Sequence, residues 1–122
     1  LSINRMQTEE IKNLVVEALD DMKARDIIFL DVRGRTSVTD WMVIATGTSS
    51  RHVTAVAANV ETKAKAAGLR VGGTEGRAAS DWVLIDLNDV LVHVMTDQAR
   101  HYYDLERLWG EQPVAGTGNQ AR

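Results

Sequence analysis

Asp81 to Leu87 (DWVLIDL) and Val90 to Met95 (VLVHVM) are two β-rich runs separated only by Asn88 and Asp89. So short a linker requires a tight antiparallel hairpin, and Asn and Asp both tolerate the positive φ angles of its turn. The turn also sets the register. Leu87 pairs with Val90, Ile85 with Val92 and Val83 with Val94, which makes one face wholly β-branched or leucine and assigns it to a core. Side chains alternate across a strand, so the other face pairs Asp86 with Leu91, Leu84 with His93 and Trp82 with Met95. That face is neither a polar solvent face nor a clean core. Either a helix or loop covers it as a second core layer, or it meets a partner, because aromatic and sulfur side chains among polar ones are what interfaces concentrate.

The rest of the chain supplies the elements such a hairpin needs. From Thr8, apolar residues at Ile11, Leu14, Val15, Ala18, Leu19 and Met22 make one helical stripe. Thr8 is placed to cap this helix, Glu9 and Glu10 suit its positive end, and Lys23 and Arg25 suit the other. Asp26 to Val32 reads as a strand buried on both faces, ended by Gly34, and Asp40 to Thr46 repeats the pattern. Gly47-Thr48-Ser49-Ser50 then turns the chain and caps a helix whose stripe is Val53, Val56, Ala57, Val60, Ala64 and Ala67, with Gly68 as its left-handed stop. Leu69 to Gly73 is a short strand, and Thr74 to Ser80 is a loop. After the hairpin, Asp97 caps a last helix holding Tyr102, Leu105, Leu108 and Trp109 and stopped by Gly110 and Pro113.

The order is α-β-β-α-β-β-β-α, an α/β (α+β) domain with a single mixed β-sheet of about five strands and helices packed on it. Residues 1–6 form a leader, 7–110 the domain and 111–122 a flexible tail. With 122 residues, 44% hydrophobic and 25% charged, one core is enough and no staple is needed. The absence of cysteine excludes disulfides and thiolate metal sites. No apolar run reaches the roughly 18 residues of a membrane span and Leu1 to Met6 lacks a secretion pattern, so the protein is read as cytoplasmic. A formal charge of −3 argues against tight electrostatic binding to nucleic acid and favours a protein partner.

Catalytic chemistry finds little support. The Gly47-Ser50 turn between strand and helix is the feature most like a phosphate cradle, yet it matches neither the dinucleotide nor the Walker glycine pattern, and helix capping accounts for it. Nucleotide transfer there calls for two Asp residues two apart on a strand to hold metal ions, and the chain has no Asp-x-Asp. His52, His93 and His101 show no zinc spacing, so no cofactor or metal is expected. Ser49 with His52 is the one pair to inspect as nucleophile and base.

Four stretches in order resemble the ribosomal silencing factors, the Iojap family: Ser37 to His52 (SVTDWMVIATGTSSRH), Gly76 to Asp86 with its DWVLID, Asp89 to His93 (DVLVH), and Arg100 to Trp109 (RHYYDLERLW). The likeness runs from about Thr8 to Gly110. It implies a nucleotidyltransferase-like fold without the catalytic carboxylates, and no enzyme activity. It further implies binding to the large ribosomal subunit through its protein numbered fourteen, which blocks joining of the small subunit and lowers translation under nutrient limitation. An acidic protein suits a basic ribosomal partner. The docking role is carried onto Trp82, Leu84, His93, Met95, Arg100 and Tyr103, residues of these motifs placed away from the main core. Tyr102, Leu105 and Trp109 share a helical side better suited to core. The same face allows a homodimer. The rival reading is a nucleotide-binding or nucleotidyltransferase-type enzyme using the Gly47-Ser50 turn.

Overall fold

The helical stripe that begins at Ile11 is realised as α1 (Thr8–Asp21) in the computed structural model, which describes residues 7–37, 39–76, 81–104 and 107. Ile11, Val15, Ala18 and Leu19 are buried, as the spacing requires. The cap is Gln7 rather than Thr8: its N–H donates to the Glu10 carboxylate at 2.9 Å, and Thr8 is already helical. No basic residue stands in the last turn, because Lys23 reverses the chain at φ 60° and Arg25 already belongs to the next strand.

Five strands follow the expected order: β1 (Arg25–Asp31), β2 (Trp41–Gly47), then α2 (Ser50–Ala66), β3 (Gly73–Glu75), β4 (Trp82–Asp86), β5 (Val90–Thr96) and α3 (Asp97–Tyr103). They form one mixed sheet in the order β1-β2-β5-β4-β3. Of these five strands only β2 and β5 pair in parallel, the geometry that the α2 crossover between them permits. β1 is an edge strand, half-buried rather than buried on both faces, and a bulge between Arg25 and Ile28 breaks its register where Asp26 takes φ 51°. The short strand lies at Gly73–Glu75, starting four residues after the expected Leu69 and ending two after the expected Gly73, so Thr74 and Glu75 belong to it and not to the loop; the chain joins the sheet only from Gly72, whose N–H donates to Asp86 O at 2.8 Å.

The hairpin has the register read from its turn: Trp82 opposite Met95, Val83 opposite Val94, Leu84 opposite His93, Ile85 opposite Val92 and Asp86 opposite Leu91. Asn88 takes φ 74°, and the Asp86 carboxylate accepts the Asn88 N–H at 2.8 Å to tighten the turn. Val83, Ile85, Leu87, Val90, Val92 and Val94 are buried with the inner faces of α1 and α2 in one cluster. The far side of the sheet holds a second, smaller cluster of Val32, Met42, Ile44, Met95 and Ala99, to which α3 contributes. In α2 the stripe is buried through Ala64, while Ala67 is exposed as the helix cap next to Gly68 at φ 87°.

Candidate docking site

The site grows from the place where β5 becomes α3. Thr96, not Asp97, caps the helix by accepting the Ala99 N–H at 3.2 Å. Ala99 packs into the second cluster, and the Arg100 guanidinium turns inward to donate to Asp26 O at 2.6 Å and Thr46 Oγ1 at 2.7 Å. Those two contacts fix which side of α3 faces the sheet. Tyr103, three residues after Arg100, lies on nearly the same side, whereas Tyr102 is turned roughly 200° from Arg100 at 3.6 residues per turn. Tyr102 is accordingly 79% exposed instead of being core, and Tyr103 is 50% exposed. The helix stops at Tyr103 because Asp104 takes φ 53°. Leu105 and Trp109 lie outside the described residues.

Tyr103 stacks obliquely on Trp82 with ring centroids 4.6 Å apart, and Tyr102 meets Tyr103 edge-on at 5.0 Å. Trp82 Nε1–H in turn donates to His93 Nδ1 at 2.9 Å. A continuous aromatic series therefore runs from solvent at Tyr102 through Tyr103 and half-buried Trp82 to buried His93. Each such aromatic contact adds about 0.5–1.5 kcal/mol beyond the area it buries. Leu84, beside Trp82 on the same strand face, is also half-buried.

Of the six residues expected to dock, Trp82, Leu84 and Tyr103 present surface. His93 at 5% exposure, Met95 at 0% and Arg100 at 9% do not. Their burial has distinct causes: β5 is the central strand between β2 and β4, and α3 closes over its end. His93 and Met95 support the face from beneath, and Arg100 reaches the surface only where it lines the cleft beside α3. The open alternatives for this side of the hairpin thus divide between its strands, with Met95 of β5 in the second core layer and Trp82 of β4 at its rim.

Burial pushes the His93 imidazole down to about pKa 4, so it is neutral near pH 7. Since Nδ1 accepts from Trp82, the ring proton sits on Nε2, which is buried and has no hydrogen-bond partner. Leaving such a group unsatisfied costs about 1–3 kcal/mol. Beside α3 opens a cleft of about 540 Å³ lined by Asp26, Ile28, Asp97, Arg100, His101 and Asp104.

The Gly47-Ser50 turn is organised differently from an active site. Ser49 Oγ accepts the His52 backbone N–H at 3.1 Å, an ordinary cap. The His52 ring is turned away from it: Nδ1 accepts the Thr48 N–H at 2.9 Å, so Nε2 carries the proton it donates to Met22 O at 2.6 Å. The pair singled out for inspection as nucleophile and base is not formed, and His52 instead ties the end of α1 to the start of α2. Nothing in the spacing signalled this tie, which joins residues 30 apart. Gly47 is required because a Cβ there would lie 2.7 Å from Val53 Cγ2. Among the described residues no group of three or more His, Asp or Glu is arranged to hold a metal, and no helix is long and apolar enough to cross a membrane.

Comparison with known proteins adds four findings. A family model described as ribosomal silencing factor during starvation matches residues 5–121. The ribosomal silencing factor RsfS of Chromobacterium violaceum is 49% identical over 107 residues, 88% of this chain and 88% of that protein. A crystal structure of a protein from the same organism superposes with a TM-score of 0.83 at 46% identity, covering 93% of this chain and 95% of the other. More distantly, a mouse protein named mitochondrial assembly of ribosomal large subunit protein 1 is 33% identical over 100 residues, 80% of this chain and 44% of that protein.

Proposed function

Because the chain belongs to the ribosomal silencing factor family, whose role is translational silencing, we propose that it docks on the large ribosomal subunit and bars the small one. In this reading the cytoplasmic protein meets large-subunit protein fourteen with the Trp82, Leu84 and Tyr103 face, and its bulk occupies the place where the subunits would bridge. Steric exclusion needs affinity and volume but no reactive group, so the protein is not an enzyme. The observation that carries the reading is the aromatic series from Tyr102 to Trp82, which holds large side chains half in solvent on a fixed platform. Prearranged aromatic groups of this kind make interface hot spots because they bury area at little conformational cost. A nucleotide enzyme at the Gly47 turn is the weaker reading, since Ser49 and His52 are both engaged in capping and in tying helices.

Sedimentation with purified subunits tests it. The protein is expected to travel with isolated large subunits and not with small ones. Trp82→Ala should weaken the association by more than ~1 kcal/mol, with thermal unfolding as the control that the variant is folded. A second copy of the chain competes for the same face if the protein pairs with itself, in which case dilution favours docking. Failure to bind large subunits removes the proposal.

A further inference from the structure

His93 has the one buried side-chain polar atom among the described residues that lacks a hydrogen-bond partner, and it lies directly beneath the docking face. An apolar ring of similar size would fill the same space without an orphaned N–H, as the valines on either side, Val92 and Val94, fill theirs. What an apolar ring would not supply is the acceptor for Trp82 Nε1–H. We infer that His93 is a positioning residue for docking: its Nδ1 holds the nitrogen edge of the Trp82 indole inward, so that the indole meets the partner by its carbon surface.

The inference rests on the docking reading above and deepens it. An indole free to turn about its two side-chain torsions would lose its stack on Tyr103 and would have to be ordered on binding, which lowers affinity. The tie to His93 removes that freedom before the partner arrives. It also defines what the partner offers. The indole N–H is already satisfied within the protein, so the group that meets Trp82 is apolar or cationic, suited to a ring face, and not a hydrogen-bond acceptor.

Two variants separate positioning from simple packing. His93→Phe keeps the ring and removes the acceptor; His93→Asn keeps an acceptor at the Nδ1 position but leaves amide N–H groups buried. The expected result is an inversion: His93→Phe is at least as stable as wild type yet binds large subunits about tenfold more weakly, whereas His93→Asn is less stable yet binds within about threefold of wild type. The indole N–H resonance of Trp82 should shift in the first and stay near its place in the second. In a Trp82→Phe background, His93→Phe should have no further effect on binding. If the phenylalanine overpacks and the variant unfolds, His93→Leu removes the acceptor in a smaller volume and is read in the same way. Wild-type protein that binds while the apolar variants bind equally well overturns the inference alone. Wild-type protein that does not bind large subunits overturns the docking reading, and the inference with it.

Discussion

At the scale of single residues, the pairing of Trp82, Leu84 and Asp86 with Met95, His93 and Leu91 was readable because a two-residue turn permits only one register. Their exposure was not. Alternation tells which side chains share a face, but the depth of each depends on what lies over it, and that is set by Ala99 and Arg100 of a helix whose approach no local pattern encodes. Tyr102 was misplaced for the same reason: a stripe with Leu105 and Trp109 looks apolar, yet the buried guanidinium of Arg100 decides the orientation. The burial of His93 has a measurable consequence. Its folded pKa of about 4 lies below the ordinary 6.5, so between these values the unfolded chain binds a proton that the folded one refuses. Stability is fully present above about pH 6.5 and is lost as the pH falls toward 4, by roughly 3 kcal/mol in all at 1.36 kcal/mol per unit. Urea unfolding at pH 7 and pH 4.5 should show wild type losing roughly 2–3 kcal/mol more than His93→Phe.

Among the elements, the long helices and the hairpin were legible because their periodicity extends over many residues, while their ends were displaced. Gln7 and Thr96 cap where Thr8 and Asp97 were expected, since neighbouring polar residues all fit the cap chemistry and only backbone geometry chooses between them. β1 read as central because Ile27 to Leu30 are apolar; an edge strand half-covered by α1 has the same composition. At the start of α2, Gly47→Ala should destabilise the fold by about 1–3 kcal/mol, because the added methyl meets Val53 at 2.7 Å and overpacks the strand-to-helix turn. Ser49→Ala should cost about 1 kcal/mol through loss of the cap and leave subunit binding unchanged. At the same end of the sheet, next to that turn, Arg100→Met removes the donors to Asp26 O and Thr46 Oγ1. Amide exchange in α3 should then accelerate while α1 and α2 remain protected, and binding should weaken because Tyr103 loses its platform.

For the whole molecule, the sheet divides the work. One face is closed by α1 and α2 into the main core, and the other carries the smaller cluster with α3 and the aromatic rim. The element order and the mixed sheet followed from the β2 to α2 crossover and the hairpin, but the strand order did not, because apolar strands carry no mark of which neighbour they choose. The bulge in β1 and the capture of Asp26 O by Arg100 blunt one sheet edge, and β3 ends the other after three residues, so among the described residues neither edge presents a long open strand. In the proposed mechanism the aromatic rim brings the protein to the large subunit and its volume then keeps the small subunit away. The most direct test is light scattering on mixing purified large and small subunits, with the large subunits first incubated with increasing protein. The joined fraction should fall in step with occupancy of the large subunit and recover with Trp82→Ala at the same concentration. Saturated large subunits that still join small ones at the rate of bare subunits would contradict it.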